Sequence, residues 1–212
     1  MAKRLGNTIQ LDEDYPIQWQ QRNSIPSMNL KRYILDGVIS GEELLWIYHR
    51  LLETPLWTLS RTSTGPGRNM IPFMGFPGLG IETRGEVHNE FLSGYFRSLI
   101  FRVKHQLKKD YSAQIPSEVK RIHVGGKSSF SRTKFHSDSK DESDWTILGF
   151  LNPVWNAKDG GEFYLDKEKI EYKAGRFVVF PSYIEHDGGY VVNESLSYWR
   201  VAANIILTKP EK

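Results

Sequence analysis

The stretch WTILGFLNPVWNAKDGGEFYL, residues 145–165, contains two short β-type runs, WTILGFL and GEFYL, with turn residues between them. Four similar runs flank it: VKRIHV precedes it, and KIEYKA, RFVVF and SYWRVAANIIL follow it. The turn signals that separate these runs are Asn152-Pro153, Asp159-Gly160-Gly161, Ala174-Gly175 and Asp187-Gly188-Gly189. Short strands at close spacing are typical of an antiparallel sandwich or barrel. The sequence therefore predicts a β-barrel core over residues 119–208.

Two amphipathic helices are predicted before these strands. The first occupies part of residues 38–53, where Ser40 is followed three residues later by Glu43, a capping-box arrangement, and then by apolar residues at helical spacing. The second should run from about Glu86 to Lys109, because apolar residues recur every four positions from Val87 to Leu107. Helices followed by closely spaced strands indicate an α+β fold with the helices packed on the barrel.

The domain organisation follows from these patterns. Residues 1–30 mix charges, Gln, Asn and Pro without a period, which predicts an irregular N-terminal arm. Residues 31–212 are expected to form a single domain, with helical support at 38–110 and the barrel core at 119–208. Between the two helices, residues 61–85 hold six Gly and three Pro together with apolar residues. This stretch predicts a long loop, either a lid or a segment tucked over the helices.

Composition excludes several classes of function. The chain has 212 residues, 39% of them hydrophobic, and no Cys, so any metal must be held by His, Asp or Glu. Its 28 basic and 25 acidic residues give a net charge of +3, which is too small to indicate nucleic-acid binding. The sequence has neither an 18-residue apolar run nor the apolar region of a signal peptide. It predicts a cytoplasmic protein without a membrane span.

The tripeptide His136-Ser137-Asp138 is a candidate metal-binding motif. If the chain is extended here, His136 and Asp138 point to the same face and can bind one ion. Two histidines and one carboxylate on one face of an octahedron are typical of non-haem Fe(II) oxygenases, because three positions stay open. The alternative is a polar turn that happens to contain a histidine. A metal site of this kind also needs a third ligand from elsewhere in the chain.

His186 is the preferred third ligand. It follows the strand-like run RFVVFPS, 47 residues beyond Asp138, whereas His123 lies on the earlier run VKRIHV. Its neighbours Glu185 and Asp187 leave a charged turn as the alternative interpretation. A lone histidine on a helix is usually a surface or core-edge residue. Three histidines fall in the predicted helices: His49, His88 and His105.

Arg200 lies in the otherwise apolar run YWRVAANIIL, fourteen residues after His186. A guanidinium buried among apolar residues costs several kcal/mol unless an anion pairs with it. The planar fork of Arg is suited to a carboxylate. Arg200 is therefore a candidate for binding a carboxylate ligand, and an ion pair with a distant Asp or Glu is the alternative.

Taken together, these residues resemble the Fe(II)- and 2-oxoglutarate-dependent dioxygenases, and within them the prolyl-hydroxylase-like branch. The resemblance covers residues 119–208 and depends on the order and spacing of its parts. Those parts are His136-x-Asp138, TILGFLNPVWNAKDGGEFYL at 146–165, AGRFVVFPS at 174–182, His186 and Arg200.

The resemblance implies a double-stranded β-helix, or jelly roll, with a metal site at its mouth. It implies Fe(II) held by His136, Asp138 and His186, and 2-oxoglutarate as a co-substrate whose distal carboxylate is bound by Arg200. It also implies O2 as a reactant and ascorbate as a stimulating reductant. The expected reaction is hydroxylation of a C–H bond, with a prolyl residue in a peptide or protein as the favoured substrate and small molecules as alternatives.

The sequence departs from the pattern of this branch at two positions. The tyrosine that often helps bind 2-oxoglutarate is Phe150 here, and the Arg-x-Ser of some members is Arg200-Val201-Ala202. Another donor must then assist Arg200 in binding the co-substrate. The candidates are His123, Thr146 and Asn204.

Two other classes of function compete with the oxygenase. A cupin-like barrel would use the same residue types for isomerisation or ligand binding without oxidation. Arg200 and the 146–165 segment favour the oxygenase over it. A regulatory module on an inactive barrel is the third class, and an intact set of three metal ligands argues against it.

Overall fold

The computed structural model describes residues 31–55, 57–60, 71–76, 89–129, 135–192 and 199–210. Its helices are α1 (Gly41–Glu53), α2 (Glu90–Tyr111) and a 3-10 turn at Ala157–Asp159. Its strands are β1 (Tyr33–Leu35), β2 (Thr58–Ser60), β3 (Ile71–Phe76), β4 (Glu118–Lys127), β5 (Trp145–Phe150), β6 (Phe163–Leu165), β7 (Glu168–Ile170), β8 (Phe177–Pro181), β9 (His186–Gly188) and β10 (Arg200–Thr208).

The strands form two antiparallel sheets. The larger sheet has seven strands in the order β1-β8-β5-β10-β4-β3-β2, and the smaller has three in the order β7-β6-β9. His136 extends the smaller sheet, because its backbone forms an antiparallel bridge with His186. Two sheets with helices beside them agree with the predicted α+β class. Among the described helices, none is both long and apolar enough to cross a membrane.

The two faces of the larger sheet have different roles. On β10, Val201, Ala203, Ile205 and Leu207 belong to one buried cluster with apolar residues of α1 and α2. Because side chains alternate along a strand, the intervening residues of β10 point to the opposite face, toward the smaller sheet. Arg200 on that face donates a hydrogen bond to Gly161, just before β6. The helices therefore cover one face of the sheet, and the other face is left to carry the site.

α1 begins as the sequence predicts, but its capping box is only half formed. The backbone N–H of Glu43 donates to the side chain of Ser40 at 3.1 Å. The Glu43 carboxylate instead accepts hydrogen bonds from Arg102 and Tyr95 of α2, at distances of 2.6 to 3.0 Å. The hydrogen bonds from Arg102 outweigh burial and lower the pKa of Glu43. Glu43 thus joins the two helices.

α2 begins later than predicted. Its first residue is Glu90, and the side chain of Asn89 accepts a hydrogen bond from the N–H of Leu92 at 3.0 Å, which caps the helix. The predicted start at Glu86 lies outside the described residues.

The predicted apolar stripe on α2 is also wrong at its first turn. Phe91 is 59% exposed, and the buried positions there are Leu92 and Phe96. A repeat of four residues advances about 40° beyond a full turn at each step, so a stripe with that repeat winds around the helix.

Several strands were missed or misplaced. β3 lies inside the predicted loop at 61–85, so the loop prediction is wrong for Ile71–Phe76, which pair with β4. Residues 61–70 and 77–85 lie outside the described residues. The predicted turn at Asp187-Gly188 is wrong as well, because both residues belong to β9 and pair with β6. Pairing partners from distant parts of the chain override the local turn signals in these places.

Candidate metal centre

The structure brings together the three predicted metal ligands. One ligand atom from each of His136, Asp138 and His186 lies within 4.8 Å of the other two. The Nε2 atom of His186 is 3.5 Å from Oδ2 of Asp138, and the two imidazole rings have centroids 4.6 Å apart. Paired backbone hydrogen bonds between His136 and His186, of 3.0 and 2.8 Å, hold the two segments side by side. The sequence-distant histidine is therefore positioned by the smaller sheet.

The ring of His186 is oriented for binding a metal through Nε2. Its Nδ1 atom lies 2.9 Å from the carbonyl oxygen of Ile184, and a carbonyl can only accept, so Nδ1 carries the proton and donates it. The lone pair of Nε2 is then free to face Asp138. Burial lowers the pKa of His186, although the charge of Asp138 opposes the shift. The ring is therefore neutral near pH 7, which is the form that binds metals.

The Asp138 carboxylate is held by three donors. Arg121 donates to Oδ1 at 2.9 Å, while Thr146 and Asn204 donate to Oδ2 at 2.9 and 3.0 Å. Burial alone would raise the pKa of Asp138, but electrostatic interactions with His186 and Arg121 and the Asn204 hydrogen bond together lower it. The carboxylate is therefore ionised and fixed in one orientation.

The surroundings of this site are apolar on one side. The ring of His186 contacts Phe163 and Phe180, with centroid separations of 5.5 and 5.1 Å, and both phenylalanines are buried. Two imidazole nitrogens and one carboxylate are a donor set that suits non-haem Fe(II). The hydrogen bonds made to the His186 imidazole and to the Asp138 carboxylate supply the outer support that metal ligands need.

Two of the predicted co-substrate donors lie beside Asp138. Thr146 and Asn204 both bond to its carboxylate, and Asn204 is four residues from Arg200 along β10, or about 13 Å. His123 is the strand partner of Asn204. Burial, aided by the charge of Arg121, lowers the pKa of His123 to about 4, so that ring is also neutral. A role for these residues in binding co-substrate stays a prediction. The structure places them beside Asp138, at the end of the inward face of the larger sheet that we call the metal end.

Arg200 is buried, with only 5% of its surface exposed. Its Nε atom donates to the carbonyl of Gly161 at 2.6 Å, and its buried Nη2 atom has no hydrogen-bond partner among the described residues. The guanidinium lies 5.3 Å from the ring centroid of Phe150 and 5.2 Å from that of Tyr172. These cation–π contacts orient the guanidinium but do not satisfy its N–H donors. An orphaned buried N–H of this kind is costly, and a carboxylate would satisfy it.

The departure at Phe150 has a structural explanation. Phe150 stacks on Tyr172 with centroids 4.4 Å apart, and Arg200 lies against both rings. The hydroxyl of Tyr172 is already used, because it donates to the side-chain oxygen of Asn152 at 2.7 Å. Phe150 therefore contacts Arg200 through its ring face rather than through a hydroxyl.

Asn152 fixes the backbone on both sides of Arg200. Its side-chain amide donates to the carbonyl of Trp199 at 2.7 Å, and its side-chain oxygen accepts from the N–H of Val201 at 2.7 Å. Asn152 is 2% exposed, so these bonds are shielded from water. We refer to this arrangement of Asn152, Trp199 and Val201 as the Asn152 clasp.

Sequence reasoning missed Arg121, although a signal for it existed. In the run VKRIHV, Arg121 and His123 are two apart and share one face of β4. Strand parity therefore placed a cationic residue, Arg121, on the face that carries His123. The signal for Asn152 and Tyr172 was weaker, because their contacts depend on chain segments far apart in sequence.

The sequence of the barrel matches a known family. Residues 121–207, from Arg121 to Leu207, match the sequence profile of the 2OG-Fe(II) oxygenase superfamily, and the matched segment contains the three clustered ligands and Arg200. Residues 121–207 form a 2OG-Fe(II) oxygenase domain. The superfamily recognised from the sequence is thereby confirmed, and the family implies Fe(II), 2-oxoglutarate and O2 as its cofactor and co-substrates. Among curated proteins, none matches the chain.

Solved structures resemble the fold of the chain. A prolyl-4-hydroxylase from Pseudomonas putida has a TM-score of 0.62 at 11% identity, over 85% of this chain and 94% of that one. A prolyl hydroxylase from Trichoplax adhaerens, in complex with a hypoxia inducible factor peptide fragment, has a TM-score of 0.55 at 20% identity, over 85% and 84%. The epimerase SnoN from nogalamycin biosynthesis has a TM-score of 0.58 at 13% identity, over 92% and 84%. The predicted double-stranded β-helix is confirmed.

Proposed function

We propose that this oxygenase hydroxylates a C–H bond, with Fe(II) bound by His136, Asp138 and His186 and with the distal carboxylate of 2-oxoglutarate bound by Arg200. The observation that carries the proposal is the convergence of the three ligand atoms within 4.8 Å inside the matched oxygenase domain. The orphaned Nη2 atom of Arg200 supports the second part.

The residues of the site have different roles. Bound Fe(II), 2-oxoglutarate and O2 supply the oxidising chemistry, so the protein has to bind, orient and shield. Asp138 and His186 are fixed by hydrogen bonds before any ligand arrives. Arg200 selects a ligand with an anionic far end, since a neutral end would leave its Nη2 donor unsatisfied. Phe163 and Phe180 keep one side of His186 apolar.

We propose a peptide or protein as the substrate, with a prolyl residue as the favoured target. Support comes from two of the structural neighbours described above, which are prolyl hydroxylases, one of them solved in complex with a peptide fragment. The fold similarity to an epimerase of nogalamycin biosynthesis makes a small organic molecule the competing substrate class.

The test is substrate-stimulated formation of succinate from 2-oxoglutarate under air with added Fe(II). Proline-containing peptides, matched peptides with alanine in place of proline, free proline and small aromatic molecules are compared, and mass spectrometry looks for a gain of one oxygen. We expect stimulation by proline-containing peptides only. Stimulation by small molecules alone would reassign the substrate class. Metal binding without 2-oxoglutarate turnover under every condition would favour the cupin-like alternative.

A further inference from the structure

Ser182 lies in the turn between β8 and β9, four residues before the proposed metal ligand His186, and it is fully buried. Its backbone N–H donates to the carbonyl of Asp144 at 2.9 Å. Its carbonyl accepts from the N–H groups of Asp138 and Ser139 at 2.9 and 3.2 Å. Both polar groups of the Ser182 backbone are therefore bonded to the segment that carries Asp138.

The segment from Asp138 to Asp144 is closed by a hydrogen bond of its own. The hydroxyl of Ser139 donates to Oδ2 of Asp144 at 2.7 Å. The Nζ atom of Lys120 on β4 donates to the same oxygen at 2.7 Å. The Asp144 side chain is fully buried, so these bonds are shielded from water. The backbone of Ser182 is thus bonded to a closed loop that is also tied to β4.

The side chain of Ser182 reaches the Asp138 carboxylate through one other hydroxyl. Its Oγ atom lies 2.9 Å from Oγ1 of Thr146, and that Oγ1 atom lies 2.9 Å from Oδ2 of Asp138. Thr146 is on β5 and, like Ser182, is fully buried. The three side chains therefore form a continuous hydrogen-bonded chain, which we call the hydroxyl relay.

The direction of the hydroxyl relay follows from the chemistry of its groups. The Asp138 carboxylate, paired with Arg121, is ionised and can only accept, so the single hydroxyl proton of Thr146 is donated to it. The oxygen of Thr146 must then accept the hydroxyl proton of Ser182. Hydrogen bonds in a chain polarise one another, so Ser182 makes Thr146 a stronger donor to the carboxylate.

We propose that Ser182 is a positioning residue for metal binding, which holds Oδ2 of Asp138 beside Nε2 of His186 through the hydroxyl relay. This inference rests on the proposed function, because it assigns a role to Ser182 at the same metal site. Oδ2 is the oxygen that lies 3.5 Å from Nε2 of His186. Ser182 thus holds Asp138 at two points, directly at the backbone and through Thr146 at the carboxylate. Outer partners of this kind orient metal ligands and raise metal affinity.

The test is a double-mutant cycle on the whole chain. Co(II) binding is measured by calorimetry and by the visible absorption spectrum of the bound ion. Ser182→Ala removes the first hydroxyl and keeps the backbone hydrogen bonds, whereas Thr146→Val removes the second and keeps the shape of the side chain.

We expect Co(II) affinity to fall about threefold to tenfold in Ser182→Ala and about tenfold in Thr146→Val, with an altered spectrum in both. Ser182→Ala added to Thr146→Val should lower the affinity by less than about twofold more, because the hydroxyl relay is already broken.

Two further variants serve as controls. Thr146→Ser keeps the hydroxyl and should bind Co(II) within about twofold of the unmodified protein. Ser93→Ala removes a buried hydroxyl of α2 that has no hydrogen-bond partner among the described residues, so it should change neither the affinity nor the spectrum. If Ser182→Ala does not fold, as judged by thermal unfolding, the cycle is run with Ser182→Cys, whose thiol is a weaker donor.

The outcomes separate this inference from the proposed function. Lower thermal stability in Ser182→Ala with unchanged Co(II) affinity and an unchanged spectrum would make Ser182 only structural and overturn the inference. Losses that add in the double variant would also overturn it, because Ser182 would then act without Thr146. Failure of the unmodified protein to bind Co(II) or Fe(II) would overturn the proposed function, and this inference with it.

Discussion

The two ends of the inward face differ in how completely their polar groups are satisfied. At the metal end, the Asp138 carboxylate accepts hydrogen bonds from Arg121, Thr146 and Asn204. At the other end, Arg200 has a buried donor without a partner among the described residues. The protein therefore assembles the metal end by itself, whereas we propose that a ligand completes the other end. We expect metal binding to be independent of 2-oxoglutarate, and 2-oxoglutarate to stabilise the fold when it binds.

Removing a metal ligand should have the largest effect. His186→Ala is expected to abolish succinate formation and to weaken Mn(II) binding by about a hundredfold or more, since loss of an outer support alone costs about tenfold to a hundredfold. Turnover assays and calorimetry measure the two quantities. His105→Ala, on the exposed surface of α2, is the matched control and should behave like the unmodified protein. Turnover in His186→Ala at the unmodified rate would remove His186 from the metal site.

Changing Arg200, at the other end, should weaken the binding of 2-oxoglutarate rather than that of the metal. Arg200→Lys keeps the charge but loses the planar fork, so the affinity for 2-oxoglutarate should fall by about 1–3 kcal/mol while that for Mn(II) stays the same. Calorimetry with each ligand separates the two effects. Arg50→Lys on the exposed surface of α1 is the control. A loss of Mn(II) affinity in Arg200→Lys would show that the two ends are not independent.

Substitutions at Arg121 test whether residues that do not bind the metal hold the Asp138 carboxylate in its orientation. Arg121→Met removes the ion pair to Oδ1 of Asp138, so Mn(II) affinity should fall by about tenfold. The visible absorption spectrum of bound Co(II) should change at the same time, because the carboxylate can rotate. Arg121→Lys should restore most of the affinity. Unchanged metal affinity and an unchanged spectrum in Arg121→Met would mean that Thr146 and Asn204 suffice.

The pH dependence of stability should show the smallest effect. The pKa of His123 is about 4 in the folded protein against 6.5 as its ordinary value, so the folded form resists protonation. Its contribution to stability is fully present above pH 6.5 and is lost as the pH falls toward 4. Between pH 7 and pH 5 the loss should be on the order of 1–2 kcal/mol.

Urea unfolding at the two pH values measures this loss. His123→Gln should lack that part of the pH dependence, while His49→Gln, on the exposed surface of α1, should retain it. An identical pH dependence in His123→Gln and in the unmodified protein would show that His123 does not cause this loss of stability.

The clustering of His136, Asp138 and His186 could be predicted from the sequence because its signals are local or periodic. His136 and Asp138 are two residues apart, and His186 follows a recognisable strand. Strand parity on β10 also placed Arg200 and Asn204 on one face. These features depend on spacing, which a single sequence displays directly.

The sequence could not reveal contacts that depend on strand register. Lys127 lies opposite Arg200 only because β4 pairs with β10 in this register. A shift of one residue would have turned it to the other face. Likewise, the residues of β3 resemble a glycine-rich loop in isolation and become a strand through pairing with β4. Register is a property of the assembled sheet, and local patterns do not encode it.

The Asn152 clasp has a consequence for how this chain tolerates change. The clasp holds Trp199 and Val201, while the N–H of Val192 donates to the carbonyl of Asp159 at 2.8 Å. The chain is thus anchored on both sides of residues 193–198. Insertions, deletions or grafted peptides placed between these anchors should leave the guanidinium of Arg200 where it is. Changes in chain length between Val192 and Trp199 are therefore expected to leave the backbone on both sides of Arg200 in place.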